Sequence, residues 1–210
     1  TGSAGKTANC QIGVSLVLAT SNAHVTADFQ LYIPESWTQD RERCRRAHIP
    51  DNVEYAPKWC LALDMIERAL AGGLPPGVVL ADCDYGNKTA FRDALDTMGL
   101  QYAVEVQSTT MVSSCIGNTG RLGDRMSVGE LGAALQSKLR TVTWRQGTKA
   151  ILRSRFARIR VVVDRDDGPL RPPQWLLVEW PEDEPAPTKY VLSTMPKSTS
   201  CKQLVRTFKE

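Results

Sequence analysis

The segment Val78–Asn87, VVLADCDYGN, is an apolar run that stops abruptly in two carboxylates, an aromatic residue and a glycine. Pro75, Pro76 and Gly77 break the chain before it, and Gly86 and Asn87 break it after. As a buried strand it delivers Asp82 and Asp84 to its carboxyl end. From Thr89 the spacing of Phe91, Ala94, Leu95 and Met98 predicts a helix stopped by Gly99. Tyr102–Val106 is then a second short apolar run. Strand, helix and strand within about thirty residues describe a βαβ unit with parallel strands and a right-handed crossover. Open α/β sheets place ligands and chemistry beyond the carboxyl ends of their strands, so the two acids are the first functional clue.

The 210 residues suffice for one sizeable core, or for one core carrying an insertion. A formal net charge of +3 is too small to specify a polyanion partner, which leaves local clustering as the electrostatic argument. No apolar run approaches the roughly 18 residues of a membrane helix, and the start does not resemble a signal peptide, so a soluble cytoplasmic protein is expected. Cys10, Cys44, Cys60, Cys83, Cys115 and Cys201 form no close pairs and have no neighbouring histidine tract. They read as free thiols in a reducing compartment, not as a zinc site or a disulfide framework. With His24 and His48 the only histidines, a hydrolase built on a histidine base is disfavoured and carboxylates become the expected workers. The chain opens without methionine in the polar TGSAGKTAN, and Leu204, Val205 and Phe208 start an apolar helix face that Glu210 leaves unfinished. An internal piece of a longer protein is the expectation.

Gln11–Thr20 and Ala23–Ile33, with Ser21 and Asn22 between them, predict an antiparallel hairpin. Pro34–Pro50, rich in Arg41, Arg43, Arg45 and Arg46, reads as a charged excursion with a short helix. Pro57 starts a helix whose expected face is Trp59, Ala62, Leu63, Ile66 and Leu70, closed by Gly72 and Gly73. After the βαβ unit, the Ser, Thr, Gly and Asn content from Gln107 to Arg125 predicts a loop. Ser127 and Glu130 have capping-box spacing before a helix marked by Val128, Leu131, Leu135 and Leu139. Thr141–Val163 is strand-like, Asp164–Pro173 a turn, Gln174–Trp180 and Lys189–Thr194 two strands around an acidic proline-rich loop. Ser200 and Gln203 form a second capping box.

Lys138, Arg140, Arg145, Lys149, Arg153, Arg155, Arg158 and Arg160 lie in one stretch that holds no acid. Arginines spaced along a strand can track phosphates while alternate positions face a core, so Arg145, Lys149, Arg153, Arg155, Arg158 and Arg160 are the expected DNA contacts. A solvated strand face is the plainer alternative. Trp144, Trp175 and Trp180 read as core residues and not as stacking platforms.

A hairpin, a helix and then strand, helix, strand is the order of a ribonuclease-H-like core without its first strand. Such cores hold divalent ions on carboxylates from neighbouring strands and a following helix, where the ions assist phosphodiester cleavage. Hard carboxylate oxygens suit Mg²⁺, and one carboxylate does not build the site. Asp82 taken alone is as consistent with a capping or salt-bridged acid as with a ligand. Cys83 reads better as a small buried strand residue than as a metal thiolate.

VVLADCDYGNKTAFRDAL, WRQGTKAILRSRFARIRV and WLLVEWPEDEPAPTKYVLSTMP together resemble the DDE transposases of bacterial insertion sequences, the DDE superfamily endonucleases. The likeness runs over nearly the whole chain. It implies an α/β fold, a ribonuclease-H-like mixed sheet with helices interrupted by a mainly β insertion subdomain. The family's second catalytic aspartate, in a motif of Asp, two variable residues, Tyr and Gly, falls on Asp82, which is thereby implied as catalytic acid and metal ligand. Asp84 falls on a variable position. The family's first aspartate belongs upstream of a segment like Thr1–Asn9 and its glutamate in the helix that Cys201–Glu210 begins. Neither is recognisable, and none of Asp28, Asp40 and Asp64 sits on a suitable opening strand. The resemblance further implies a core over 1–107, a β insertion over 108–196 contacting transposon-end DNA, and a returning helix from 197. Its expected cofactor is Mg²⁺ or Mn²⁺. Its expected partners are double-stranded DNA at transposon ends and target and a second copy on DNA, without a membrane. The location would be the bacterial cytoplasm, with the nucleoid when DNA is bound. The competing reading is a catalytically inactive DNA-binding remnant lacking two of the three acids.

Overall fold

The computed structural model describes residues 11–20, 22–117, 120–147, 151–164 and 171–209. It divides into two units, Thr1–Pro75 and Pro76–Glu210. Ser21, Cys10, Lys149, Glu210 and much of the turn expected over Asp164–Pro173 lie outside the described residues.

In the first unit the predicted hairpin forms from β1 (Ile12–Ala19) and β2 (His24–Tyr32), paired from Ile12↔Tyr32 to Ala19↔His24 with a bulge between Leu16 and Val17. The charged excursion folds as two short helices, α1 (Glu35–Thr38) and α2 (Arg41–Arg46). Asp40 caps the second by accepting from the Arg43 amide at 2.9 Å. Pro57, whose ring holds φ at −57°, leads into α3 (Lys58–Ala71). The buried face of α3 is Leu61, Leu63, Met65 and Ile66, while Trp59, Ala62 and Leu70 are only half-buried. The helix is therefore rotated from the expected face toward Leu61 and Met65. Arg68 on α3 reaches Asp28 on β2 at 2.7 Å, and this guanidinium holds the Asp28 carboxyl below its usual range.

The second unit is built on one eight-stranded mixed sheet. Its edge is the βαβ unit: β3 (Val79–Ala81), a single helical turn α4 (Cys83–Gly86), helix α5 (Thr89–Thr97) and β4 (Tyr102–Val106), with β3 and β4 parallel. Two features depart from expectation. The stretch read as loop after Gln107 forms a hairpin of β5 (Met111–Ile116) and β6 (Arg121–Ser127). Its serines sit on half-buried strand positions instead of in turns. The helix after the capping box, α6 (Val128–Ala134), stops early and tightens into a 3₁₀ turn over Gln136–Lys138. The box itself is present in both directions, with Ser127 N–H donating to Glu130 at 2.8 Å and Glu130 N–H donating to Ser127 Oγ at 3.2 Å.

The remaining strands are β7 (Arg140–Gln146), β8 (Ile151–Val163), β9 (Gln174–Glu179) and β10 (Lys189–Ser193). The sheet order is β3-β4-β10-β9-β8-β5-β6, with β7 paired to β8 off that path. Helix α7 (Cys201–Lys209) buries Leu204 and Val205 against Ala103, Phe156, Trp175, Leu177 and Val191 on one face. On the other face Gly132 of α6 lies against Tyr190 and Val178, where a side chain would meet the tyrosine ring. Trp175 and Trp180 are buried and Trp144 packs at the margin of the α7 core, as expected of core residues. Cys44, Cys60, Cys83, Cys115 and Cys201 are free thiols. No described helix is long and apolar enough to cross a membrane.

A buried polar knot ties α5 to the sheet. Arg171, 4% exposed, donates to Asp93 and Asp96 on α5, to the Thr89 carbonyl, and to the Tyr102 hydroxyl at 2.9 Å. Tyr102 in turn donates to Gln174 Oε1 at 3.2 Å. Burial pushes the Tyr102 phenol up to about 12. Because the fold raises this group above its unfolded value, its contribution is complete below about pH 10 and is lost as pH rises through about 12. Urea titrations between about pH 8 and pH 11.5 should show an alkaline loss on the order of 2 kcal/mol that Tyr102→Phe removes. An equal alkaline loss in both proteins would place the titration elsewhere.

Candidate active site

The strand in VVLADCDYGN ends at Ala81, and Asp82 explains why. Its backbone is still extended, with φ −77° and ψ −177°, but its side chain accepts from the Asp84 amide at 2.9 Å and so caps the turn of α4. Its carbonyl accepts from Tyr85 at 3.2 Å and Gly86 at 2.8 Å. Cys83 is consequently the first residue of a helical turn, half-buried, and not the strand residue expected. Burial pushes its thiol up, and the charges of Glu105, Asp82 and Asp84 push in the same direction. Both effects disfavour the Cys83 thiolate.

The turn is fixed to β4. Gly86 lies so close that a Cβ there would sit 1.9 Å from the Glu105 carbonyl oxygen. Asn87 Oδ1 accepts from the Gln107 amide at 2.8 Å, and Tyr85 packs on Phe91 with ring centroids 5.7 Å apart. Beneath the turn Arg92, 2% exposed, donates to the Gly86 carbonyl and, at 3.2 Å, to Thr89 Oγ1.

Register brings a second acid to the same end of the sheet. The last parallel pair is Ala81↔Val104, so Asp82 and Glu105 occupy neighbouring positions one residue further on. Glu105 pairs with Lys189 at 2.9 Å. Helix α7 runs toward this rim. Near its start, Arg158 donates to the Thr199 carbonyl and Trp175 Nε1 donates to Pro196 O at 3.1 Å, on the row that pairs with Ser193. At its end Lys209 pairs with Glu179 at 2.7 Å, on the row that pairs with Lys189. The carboxyl ends of β3 and β4 and the carboxyl end of α7 thus lie toward the same end of the sheet, with Lys209 held on β9.

The family model of the DDE superfamily endonucleases matches residues 1–151. The chain belongs to that superfamily. No curated protein matches it. The mixed α/β architecture, an eight-stranded mixed sheet with helices, agrees with the ribonuclease-H-like class. DDE-type endonucleases act on DNA and generally depend on a divalent metal. Among the described residues, however, no three of His, Cys, Asp and Glu gather closely enough to hold an ion. Asp82 is exposed, with one oxygen on the Asp84 amide and the other unengaged among the described residues. Asp82 and Glu105 alone do not fit Mg²⁺ or Mn²⁺, which take several carboxylate oxygens.

The basic stretch divides in two. Strand β8 pairs with β9 only from Phe156 to Val161, whereas its residues before Phe156 pair with β7 alone, from Gln146↔Ile151 to Thr141↔Arg155. The result is a two-stranded ribbon extending beyond the main sheet. Arg145 and Arg153 are exposed on it, and their side chains hold no hydrogen bond or ion pair among the described residues. Arg155 instead donates to the Trp180 and Pro181 carbonyls at 3.2 and 3.1 Å. Arg158 and Arg160 lie over the Trp175 ring at 4.3 and 5.0 Å and donate to the Thr199 and Pro173 carbonyls. Sequence spacing groups all of these together, because the carbonyls that separate them come from distant segments. Glu105, Arg92 and Arg171 are residues that sequence reasoning does not single out. Arg92 has a signal, since it sits between Phe91 and Leu95 on an apolar helical arc.

Gly86→Ala should destabilise the chain by about 1–3 kcal/mol, because the clash is with backbone that cannot turn aside. Gly77→Ala, with open space around it, is the control. Equal midpoints for the two variants in urea would show that the turn has room to move.

Proposed function

We propose that this chain is the catalytic-domain portion of an insertion-sequence transposase whose complete form cleaves and joins DNA strands at transposon ends. Asp82 is the catalytic acid and would hold a divalent ion, Mg²⁺ or Mn²⁺, together with acids outside the described residues. One observation carries this reading: Asp82 stands on an extended residue at the carboxyl end of a parallel strand, on the rim that α7 approaches. That is where a carboxylate from a following helix would have to arrive. In this reading residues 1–107 are the core, 108–196 the β insertion and 197–210 the start of the returning helix. Double-stranded DNA would lie along the β7–β8 ribbon. Arg145 and Arg153, with Lys149 from the sequence, would meet phosphates, while Arg155, Arg158 and Arg160 hold the base of the ribbon to the sheet. A second copy on DNA and a bacterial cytoplasmic setting complete the proposal.

The incomplete acid set among the described residues favours one competing reading, a DNA-binding remnant that no longer catalyses. Genomic sequence on both sides of the segment separates the two. An upstream aspartate with a downstream glutamate on the α7 helix supports the enzyme, and stop codons support the remnant.

In a salt titration against duplex DNA, Arg145→Ala with Arg153→Ala should weaken binding and lower the slope of log K against log salt by about 0.9 for each phosphate that is no longer neutralised. An unchanged slope would make both arginines part of a solvated strand face. Incubated with supercoiled plasmid in Mg²⁺ or Mn²⁺, the 210-residue chain is expected to leave the plasmid intact. Nicking that vanishes in Asp82→Ala would mean that the acids present suffice.

A further inference from the structure

Arg92 is an expensive residue to keep where it is. It is 2% exposed, its Nε finds no acceptor, and among the described residues no carboxylate lies within ion-pair distance of it. The nearby Arg171 carries the same charge. An apolar side chain of similar volume would avoid the desolvation of a guanidinium held by two neutral acceptors. What the arginine does provide is a fork. One arm reaches the Gly86 carbonyl, the last of the α4 turn, and the other reaches Thr89 Oγ1 in the first turn of α5. A helical turn of four residues does not persist unaided, since nucleating a turn fixes several dihedrals for one hydrogen bond. Above the turn, Gly86 N–H donates to the Asp82 carbonyl at 2.8 Å, so a clasp on Gly86 bears directly on the residue that caps it.

We propose that Arg92 is the positioning residue for Asp82, its buried fork clamping the α4 turn so that the Asp82 carboxylate is held at the sheet rim. The inference rests on the catalytic reading of Asp82 for its meaning, but not for its measurement. Lysine cannot replace the fork, because a single ammonium on a flexible stem does not span two acceptors in a fixed plane.

The test uses the 210-residue chain labelled with ¹⁵N, without metal or DNA. The Asp84 amide, which donates to Asp82 Oδ1 at 2.9 Å, reports the cap by its chemical shift, and Asp82→Ala supplies the shift of an uncapped turn. In Arg92→Lys and Arg92→Met the Asp84 amide should move toward that uncapped position. The amides of Tyr85 and Gly86 should exchange about ten-fold faster relative to those of β9 and β10. An Asp84 shift that stays at its wild-type place in a folded variant overturns the assignment. So does exchange that quickens equally in the turn and in β9 and β10, or failure of both variants to fold, since each would make Arg92 a stability residue. In the complete protein, cleavage at wild-type rate after Asp82→Asn would end the catalytic reading while leaving the Arg92 result standing.

Discussion

The rim of the sheet depends on one close approach, the backbone of Gly86 lying on the carbonyl of Glu105. Parallel strands joined by a crossover must turn sharply after the first strand, and here the turn is made against the second strand itself. Gly86 permits the contact, Asn87 fastens it through the Gln107 amide, and Asp82 begins it by capping. With β3 only three residues long, this contact supplies much of what the strand pairing cannot. Asp82 and Glu105 become neighbours as a result, because the register established at Ala81↔Val104 is carried one residue further before the chain bends away.

Charge inside the second unit likewise serves geometry more than stability. Glu179, 6% exposed, is matched by Lys209, whose ammonium also lies 5.0 Å from the Trp144 ring and 5.5 Å from that of Phe208. Arg171 binds two acids of α5 at once and adds the Tyr102 hydroxyl. Buried pairs of this kind add little to stability compared with apolar packing, but removing one partner strands the other, so they specify which helix lies where. The C-terminal helix and the crossover helix are both placed in this way.

The parts of the fold that can be read from sequence are those written in local pattern. The hairpin follows from alternation over Gln11–Thr20, the crossover helix from Phe91 and Leu95, and both capping boxes from the spacings Ser127 to Glu130 and Ser200 to Gln203. The place of Asp82 at a strand end is legible because an apolar run stops on it. The β5–β6 hairpin is not, because its half-buried faces are filled by serine, and composition alone cannot distinguish such a strand from a loop. Glu105 escapes because its place beside Asp82 exists only in the register between β3 and β4. The division of the arginines is equally hidden, since Arg155, Arg158 and Arg160 are claimed by carbonyls of residues 173, 180, 181 and 199. Long-range pairing decides each of these, and periodicity does not carry it.

Strand β8 belongs to two structures at once. Its first residues make one side of the ribbon, and its last residues are bonded to β9 and β5 in the middle of the sheet, with thirteen residues running through unbroken. A load applied at the ribbon is therefore carried into the sheet by one unbroken strand and not across a joint. Force on the described part of the ribbon would pass along β8 into the strands paired behind it.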